Sequence, residues 1–563
     1  MQEMTSEQRI DIAIGFTARL LEQVSDGFAY INRHCIDSAS RQLDANKLDQ
    51  WQSVSYELAF AVAEMSAAQA LLKQAGAHCQ DHFHVRLALA YFAVSWHAAL
   101  GRILPIVDEC GIDRAGLIES MSDSSLQALL VDAGSSSAIA ALGAEIASTE
   151  LKRLPSSLDP EKEMVRATFE RFAEVVVEPL AEAIHRQDLD IPDEILQPAA
   201  ELGCFGTCIP ERFGGLQSDE RPDSLSMILV TEELSRGSLG AAGSLITRPE
   251  IAARALLAGG TEEQQTKWLP ALASGEKLCA ISITEPNTGS DVASVSLRAT
   301  KTTGGWTLNG GKTWCTFAGR SELLLVLART DPDSSLGFRG LSLFLVEKPK
   351  FSGHAFSHKQ PEGGGELSGR AIPTLGYRGM HSYDLSFDNV FVPEENLIGG
   401  EQGLGRGFYY TMAGFAGGRI QTAARATGVM QSAFEKALSY SNERSTFGIP
   451  LAGYQLTQVK LAKMFATIAA ARQFSHDVAR LMDEGAGQME ASLVKLFSCR
   501  AAEQVTREAM QIHGGMGYAE EMAVSRLFVD ARVLSIFEGA EEVLALKVIA
   551  RELIERAGGD SAD

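Results

Sequence analysis

Polar residues that could hold a ligand lie within residues 279–316. An apolar run leads into the turn TEPNTGS at residues 284–290, and the run NGGKTWCT follows at residues 309–316. Such a turn offers hydroxyl groups and unpaired backbone N–H groups, which suit an anionic or carbonyl-rich ligand. Trp314 and Thr316 are two residues apart and therefore share one face of a strand. A flat apolar ring beside a hydroxyl group suits an aromatic cofactor with a polar edge.

The pair Asn309 and Gly310 is typical of a two-residue hairpin turn, so the sequence predicts that the strand with Trp314 starts there. An ordinary β-hairpin with a tryptophan in its core would show the same pattern. The residues alone leave both interpretations open.

A second candidate stretch reads SIFEGAEEV at residues 535–543. It places Glu538 between an aromatic residue and a glycine, ahead of a predicted helix. Acidic residues are favoured at helix starts because they interact with the macrodipole, so a plain helix N-terminus is one interpretation. A general base is the other, because a carboxylate beside apolar groups can be sheltered from water.

Together and in this order, the two stretches resemble the acyl-CoA dehydrogenase flavoproteins, and the resemblance covers residues 160–555. It implies FAD as cofactor, an acyl-CoA substrate and transfer of electrons to electron-transfer flavoprotein. Thr284 and Ser290 match hydroxyls that serve the flavin and its diphosphate, and Ser290 also matches a substrate contact. Trp314 matches the ring that covers the isoalloxazine, and Thr316 matches the hydroxyl at its N5 edge.

The same resemblance makes Glu538 the base that removes the substrate α-proton while the β-hydrogen passes to the flavin. The charge that develops on the thioester oxygen requires fixed hydrogen-bond donors. The resemblance assigns these donors to the backbone N–H of Glu538 and to a flavin hydroxyl, and it places Gly539 against the substrate. Some relatives carry the base directly ahead of an arginine, where this chain has Gly418 before Arg419. Glycine cannot accept a proton, and Arg419 remains an expected substrate contact.

The chain departs from the family pattern at two positions near these residues. Ala416 stands where many relatives carry an aspartate, which weakens the transfer of their pantetheine contacts. Ala540 replaces the usual threonine after the base glycine, so one hydroxyl contact to the cofactor is expected to be absent.

Two further motifs match segments that reach across a subunit interface to the FAD of a neighbour. They are NERSTFG at residues 442–448, followed by Gln455, and QIHGGMGY at residues 511–518. As isolated motifs, both could be helix caps and turns. Shared sites would make a dimer the smallest competent unit, and a dimer is predicted over a tetramer. The expected FAD contacts in these motifs are Arg444, Phe447, Gln455, Gln511, Gly514 and Gly515.

Arg248 is the candidate for recognising a carboxylate on the acyl group. The helix that lines the acyl pocket in the family corresponds to residues 240–250, so the resemblance implies a helix whose last residues include Arg248 and Pro249. Guanidinium groups form bidentate pairs with carboxylates. An arginine that faces solvent at a helix end is the alternative. The resemblance of the whole chain, including TLGYRGMHS at residues 374–382, implies a short, branched, carboxylated acyl group.

The composition excludes several other classes of protein. A length of 563 residues with 45% hydrophobic and 22% charged residues indicates a globular protein of three or four domains. A net charge of −22 leaves no basic footprint for nucleic acid. The most apolar run, residues 87–100, is too short to span a membrane. The eight cysteines lack paired metal-ligand spacing, so we expect free thiols, no metal and a cytoplasmic location.

The period of the apolar residues predicts an α+β fold that is mainly helical. The expected domains are a helical extension (1–154), a helical N-terminal domain (155–278), a middle β-barrel domain (279–398) and a C-terminal four-helix bundle (399–563). The extension has no recognisable chemistry, so we expect it to act in assembly or in shielding the pocket. Residues 351–374 form a long connection, which is typical of a functional or disordered segment.

Three alternative functions follow from the same residues. A dehydrogenase of the same fold for another short branched or dicarboxylic acyl-CoA is the first. An oxidase is the second, because oxygen access to the flavin cannot be read from sequence. A flavin-containing binding or DNA-protective protein is the third, and the acidic charge and Glu538 count against it.

Overall fold

The computed structural model describes residues 4–37, 42–361 and 365–559. The chain forms two compact units. The first combines Met1–Ser157 with Thr422–Asp563, and the second is Leu158–Gln421. The N-terminal extension therefore belongs to the same unit as the C-terminal helices.

Helices form most of the chain, and many begin at residues that suit a helix start. Thr5 and Thr261 each complete a capping box, and Asp81 and Asp159 each accept a hydrogen bond from the backbone N–H three residues on. The helices are α1 (Ser6–Cys35), α2 (Ala45–Leu48), α3 (Gln52–Ala77), α4 (His82–Ile103), α5 (Arg114–Ser122), α6 (Ser124–Gly134), α7 (Ser136–Thr149), α8 (Pro160–Phe172), α9 (Glu178–Gln187), α10 (Asp193–Glu201), α11 (Ser224–Gly237), α12 (Thr247–Gly259), α13 (Glu262–Ala273), α14 (Gly407–Phe415), α15 (Gly418–Glu443), α16 (Gln455–Asp483), α17 (Gln488–Ile512), α18 (Ala523–Leu534), α19 (Glu541–Val543) and α20 (Arg551–Gly559).

Within the first unit, the helices of the extension pack directly on the C-terminal helices. The side-chain amide of Asn32 in α1 donates to the carbonyl oxygen of Ile554 at 2.8 Å. Helix α7 lies so close to α16 that a Cβ atom at Gly143 would be 1.9 Å from the carbonyl oxygen of Gln458. A larger residue at position 143 could not fit without moving a helix, so this packing depends on glycine.

The strands are β1 (Cys279–Ser282), β2 (Arg298–Thr302), β3 (Gly305–Thr316), β4 (Leu323–Arg329), β5 (Leu341–Glu347), β6 (Ala355–Lys359), β7 (Glu366–Ala371), β8 (Ser382–Pro393) and, as a small ribbon in the first unit, β9 (Ser445–Thr446) and β10 (Ile449–Pro450). The strands of the second unit form one eight-stranded sheet in the order β1-β4-β2-β3-β8-β7-β6, with β5 on β4. Among the described strands, β5 pairs only with β4 and β6 pairs only with β7.

Strand β4 is buried on both faces. Leu323, Leu325 and Leu327 lie in a core that includes residues of helices α12 and α13. Leu324 and Val326 lie in a second core built largely from the sheet itself. Doubly covered strands need a continuous apolar run, which is what made β4 recognisable in the sequence. The predicted mainly helical fold with a β domain in its middle is confirmed.

The hairpin turn predicted at Asn309 and Gly310 is wrong. Strand β3 runs through both residues, and the turn before it lies at Thr303 and Gly304, where Gly304 has a φ of 76°. The register between β3 and β8 shifts at Gly310, whose φ is 141°, and the Asn309 side chain accepts a hydrogen bond from the backbone N–H of Asn389 at 2.9 Å. Asn-Gly therefore forms a β-bulge here, which uses the same conformational freedom of glycine as a hairpin turn.

The long connection at residues 351–374 is mostly ordered structure. It contains β6 and β7, which pair as an antiparallel hairpin and extend the sheet beyond β8. Residues 362–364, within the glycine run of this connection, lie outside the described residues.

No single helix in the described ranges is long and apolar enough to cross a membrane, and only α6 with α7, bent by 41°, meets the length and composition requirement as a pair. All eight cysteines are free thiols, and all but Cys79 are buried.

Candidate active site

A buried ion pair joins the TEPNTGS turn to strand β3. The Nζ of Lys312 donates to Glu285 Oε1 at 2.9 Å and to the carbonyl oxygen of Ile283 at 2.7 Å. The other Glu285 oxygen accepts from the backbone N–H and the hydroxyl of Ser296. Burial alone would raise the pKa of the Glu285 carboxyl, but Lys312 and these donors outweigh it and lower that pKa. The turn is therefore fixed against the strand that carries Trp314.

Trp314 has a left-handed backbone and an exposed ring. Its φ of 56° coincides with a second register shift in β3, between Lys312 and Cys315. Trp314 is 55% exposed as a residue, whereas Cys315 is buried. Thr316 is half-buried, and its hydroxyl oxygen lies 2.9 Å from that of Ser382. A left-handed conformation costs a non-glycine residue about 1–3 kcal/mol, and such strain clusters at functional sites.

The two predicted hydroxyl residues of the turn belong to the same unit as Trp314. Ser290 is exposed, and Thr284 is half-buried. The carbonyl oxygen of Thr284 accepts from the backbone N–H of Thr313 at 2.9 Å, which brings this residue directly against β3. The turn therefore presents hydroxyl groups beside the strand with the exposed ring.

A charged cluster surrounds His381, whose backbone is hydrogen-bonded to the residue that follows β3. The backbone N–H of Phe317 donates to the carbonyl oxygen of His381 at 2.8 Å. The His381 Nδ1 lies 3.2 Å from Asp190 Oδ1, and its Nε2 lies 3.1 Å from Asp188 Oδ1. Burial would lower the pKa of His381, but the two carboxylates outweigh burial and raise it.

The same cluster includes a second histidine. Asp188, His354 and His381 each bring one possible metal-ligand atom to within 4.8 Å of the others. Both ring nitrogens of His381 already face carboxylates, which is the hydrogen-bonding pattern of an imidazolium ion. We therefore assign this cluster to ion pairing.

Arg248 is buried, with only 6% of its surface exposed, so the solvent-facing alternative is wrong. Its Nη1 donates to the carbonyl oxygen of Ser244 at 3.1 Å, and its Nη2 donates to the hydroxyl oxygen of Tyr377 at 3.3 Å. Within the described ranges, no carboxylate pairs with it. Arg248 lines a largely apolar cavity that also contains Phe317 and Met380.

The helix expected over residues 240–250 begins where it was predicted to end. Residues 240–246 form turns, and α12 starts at Thr247. Pro249, which has no backbone N–H to donate, lies in the first turn of this helix. In the first turn of a helix that N–H has no partner, so proline is tolerated there. Arg248 therefore lies in the first turn of α12.

The alternative base position is the start of α15, where Gly418 is followed by the half-buried Arg419. A carboxylate nevertheless lies beside this position. Glu250 of α12 is 1% exposed and accepts a hydrogen bond from Gln421. A Cβ atom at Gly417 would lie 1.9 Å from Glu250 Oε1, so this carboxylate occupies space that a side chain at position 417 would need. Nothing local in the sequence signals the contact, because Glu250 and Gln421 are 171 residues apart.

In the first unit, Glu538 lies in a strained turn. The φ angles of Glu538 and Gly539 are 56° and 99°, and a Cβ atom at Gly539 would lie 3.0 Å from Leu544. The backbone N–H of Glu541 donates to the carbonyl oxygen of Ser535 at 3.1 Å, which closes the turn. Glu538 is partly exposed, and the helix begins only at Glu541. The helix-start interpretation therefore applies to Glu541 and not to Glu538.

Sequence reasoning missed two residues that hold this turn. The buried Lys495 of α17 donates from Nζ to the carbonyl oxygen of Phe537 at 2.8 Å and to that of Gly539 at 2.5 Å. Arg500, on the same helix, donates from Nε to Glu541 Oε2 at 3.0 Å. The partners are 42, 44 and 41 residues apart in the chain, so no local pattern marks them. The carbonyl groups on both sides of the predicted base are fixed by one ammonium group.

The residues predicted to reach the FAD of a neighbouring subunit lie on the surface of the first unit. Phe447 is completely exposed and has a φ of 48°. An apolar ring left in solvent suits a contact with another molecule. The exposed residues in this predicted set are Arg444, Phe447, Gln455, Gln511, Gly514 and Gly515.

These elements follow the order of one protein family. The family models match as "Acyl-CoA dehydrogenase, N-terminal domain" over residues 159–276, the middle domain over 280–390 and the C-terminal domain over 405–554. The chain belongs to the acyl-CoA dehydrogenase family and is an FAD-dependent oxidoreductase.

Three known proteins show how similar this chain is to individual relatives and solved structures. The (2S)-methylsuccinyl-CoA dehydrogenase of Cereibacter sphaeroides is 46% identical over 402 residues, which cover 71% of each chain. The structure of butyryl-CoA dehydrogenase from Megasphaera elsdenii superposes with a TM-score of 0.64 at 32% identity and covers 71% of this chain and 100% of its own. A chain from the structural work on the electron transferring flavoprotein of Acidaminococcus fermentans superposes with a TM-score of 0.63 at 30% identity, covering 72% of this chain and 99% of its own.

The side chains present fit FAD. In the second unit, the exposed ring of Trp314 offers an apolar face, and the hydroxyls of Thr316 and Ser290 offer polar contacts. In the first unit, the exposed side chains of Arg444 and Gln511 offer donors for anionic or carbonyl groups.

Proposed function

We propose that this enzyme catalyses the α,β-dehydrogenation of a short, branched acyl-CoA that carries a carboxylate, with (2S)-methylsuccinyl-CoA as substrate and mesaconyl-CoA as product. The observation that carries the proposal is the buried Arg248, which pairs with no carboxylate of the described residues. The name of the 46% identical relative supports the same substrate.

A buried guanidinium group needs a counter-charge. Removing a charged group from water costs several kcal/mol, on the order of 5 kcal/mol, unless it is paired. The neutral partners of Arg248 are the Ser244 carbonyl and the Tyr377 hydroxyl, which orient the group but leave its charge uncompensated. A substrate carboxylate would form two parallel hydrogen bonds with it. An acyl group without that carboxylate would leave the charge unpaired, which is how such a site discriminates.

Glu538 is the general base in this proposal. The fixed turn limits where its carboxylate can reach, and a general base must lie within hydrogen-bond distance of the proton that it removes. The α-proton of the thioester passes to Glu538 as the α–β carbon bond becomes double. The backbone N–H of Glu538 stabilises the negative charge that develops on the thioester oxygen. FAD, when bound, supplies the acceptor for the β-hydrogen and its electron pair.

Two copies of the chain would share each cofactor. Arg444, Phe447, Gln455, Gln511 and the Gly514–Gly515 pair contact the FAD of the partner, so a dimer is the smallest competent unit. The packing of the extension on the C-terminal helices supports a dimer over a tetramer, because added helices cover faces on which further copies would assemble. Electrons then pass to electron-transfer flavoprotein, and the free thiols support a location in the cytoplasm.

Anaerobic mixing of the holoenzyme with methylsuccinyl-CoA tests the proposal directly. Loss of the flavin absorbance followed by electron transfer to electron-transfer flavoprotein would support it. Turnover with oxygen alone would make the enzyme an oxidase. Flavin that stays oxidised with methylsuccinyl-CoA but is reduced by another short acyl-CoA would reassign the substrate, and no reduction by any acyl-CoA would indicate a binding protein.

A further inference from the structure

Tyr56 of α3, in the N-terminal extension, contacts the segment that carries Glu538. Its hydroxyl donates to Glu541 Oε1 at 2.6 Å, although the two residues are 485 positions apart. Arg500 of α17 donates to Glu541 Oε2 at 3.0 Å and to the Tyr56 hydroxyl oxygen at 3.2 Å. Glu541 is only 8% exposed. A network of three side chains, with Glu541 buried and Tyr56 and Arg500 partly exposed, therefore connects the extension, the bundle and the turn.

Glu541 controls one end of the turn, because its backbone N–H bonds to the carbonyl oxygen of Ser535. Glu538 lies between these two residues with a φ of 56°. A left-handed non-glycine residue persists only where its surroundings over-determine it. Lys495 fixes the carbonyl groups inside the turn, and the Tyr56 network fixes the residue that closes it.

We propose that Tyr56 is a positioning residue for Glu538. Acting through Glu541, it holds the turn at residues 535–541 in the conformation in which the Glu538 carboxylate can take the substrate α-proton. This role rests on the proposed function of Glu538 as the base. The extension thereby serves the reaction without supplying a catalytic group.

Further side chains near Tyr56 hold the residues of this network in place. The ring of Phe60, one turn further along α3, lies 5.4 Å from the guanidinium carbon of Arg500 and 4.6 Å from that of Arg102. Arg102 in turn pairs with Glu57 and Glu64. Cations over an aromatic face are attracted to it, so both arginines are held in place.

The Tyr56 hydroxyl keeps its proton at neutral pH and can act as a hydrogen-bond donor. Burial and the hydrogen bond to Glu541 raise the pKa of Tyr56 to about 12.

Tyr56→Phe tests the proposal, because it removes one hydroxyl and leaves the ring. In the full-length holoenzyme, we expect the rate of anaerobic flavin reduction by methylsuccinyl-CoA to fall about tenfold, since small misplacements of a reacting group are costly. FAD content and melting temperature should stay close to wild type. The matched control is Tyr30→Phe in α1, whose ring packs on Trp51 within the extension and which should leave the rate unchanged.

A double-variant comparison tests the route through Glu541. Glu541→Gln should slow reduction by a similar factor. Combining it with Tyr56→Phe should add little beyond the larger single effect, because both changes act on one network. Independent, multiplying losses would contradict the route.

Hydrogen exchange tests the turn without any substrate. We expect Tyr56→Phe to speed backbone amide exchange at residues 535–541 and to leave α16 unchanged. If wild-type flavin is not reduced by any acyl-CoA, the proposed function fails. Faster exchange in the Tyr56→Phe variant would even then support the statement that Tyr56 stabilises the turn. Wild-type exchange at 535–541, a wild-type reduction rate, or a rate lost only in proportion to lost FAD would each overturn the proposal.

Discussion

The ammonium group of Lys495 lies 2.8 Å from the carbonyl oxygen of Phe537. The same group also bonds to the carbonyl oxygen of Gly539, so one buried side chain spans the peptide groups around Glu538. Lys495→Met would leave two part-buried carbonyl oxygens without this donor, and an unsatisfied buried group typically costs about 1–3 kcal/mol. We expect a lower free energy of unfolding in urea and slower flavin reduction in stopped-flow mixing.

Lys547→Met is the control for this variant. Lys547 is exposed and pairs with Asp49 at 2.7 Å, also between the bundle and the extension, but away from the turn. The Lys547→Met variant should reduce its flavin at the wild-type rate. A Lys495→Met enzyme that folds and reduces its flavin at the wild-type rate would show that the turn does not need this support.

Glu538→Gln keeps the size of the side chain but removes its ability to accept a proton. We expect the variant to bind FAD normally and to lose about 10²–10⁴-fold in the rate of flavin reduction. Glu542→Gln, at the exposed residue that follows Glu541, should behave like wild type. Near-wild-type reduction in Glu538→Gln would reject the assignment, and Glu250 would then be the next carboxylate to test.

Arg444→Ala and Gln511→Ala should each lower the FAD content of the purified protein. The side chains are exposed on a single chain, so their loss should not disturb its folding. The ratio of flavin to protein absorbance gives the FAD content, and circular dichroism reports the fold. Arg507→Ala, at an exposed arginine of α17, is the control. Full FAD content in both variants would argue against sites shared between subunits.

Sharing of the cofactor also sets the mass of the assembly. Light scattering on the intact holoenzyme should give twice the chain mass of 60.5 kDa. A stable tetramer would contradict the role of the extension in limiting assembly.

Local patterns made some elements predictable from sequence. Strands β4 and β5 were recognisable because both are short and mostly apolar, as doubly buried strands require. The pair Asn309 and Gly310 predicted the wrong feature, because a hairpin turn and a β-bulge use the same freedom of glycine.

Long-range contacts could not be predicted in this way. The hydrogen bond from Tyr56 to Glu541 joins residues 485 positions apart, and Lys495 reaches Phe537 across 42. Neither residue lies in a motif, because what places it is the packing of helices. The burial of Arg248 likewise depends on how α12 packs, so its sequence context suggested a solvent-facing residue.

The pair of His381 with Asp190 should make stability depend on pH. The pKa of His381 is raised, so its contribution is fully present below the ordinary histidine pKa near 6.5 and is lost as pH rises through the raised value. Burial opposes ionisation of Asp190, but His381 and the N–H of Gly353 outweigh it and lower its pKa, so its contribution is lost only in strong acid. The pair should therefore stabilise the fold most between these limits, at mildly acidic pH.

Melting temperatures of wild type and His381→Asn across this range test the sign. The difference between the two proteins should be largest in mild acid and should shrink as the pH becomes alkaline. His358→Gln, at a histidine of β6, is the control, and its difference from wild type should not shrink in this way as the pH rises. A gap between wild type and His381→Asn that widens with rising pH would show that His381 is neutral in the folded protein.

Arg248 should decide which acyl groups the enzyme accepts. With Arg248→Met, we expect reduction by methylsuccinyl-CoA to fall about 100-fold or more, because the substrate carboxylate would be buried without its partner. Reduction by butyryl-CoA, which has no such carboxylate, should be unchanged or faster, because the unpaired cation is gone. Arg248→Lys should restore part of the rate, since an ammonium group keeps the charge but not the bidentate geometry. Equal losses with both substrates would instead mean that Arg248 supports the fold of the cavity and does not recognise the carboxylate.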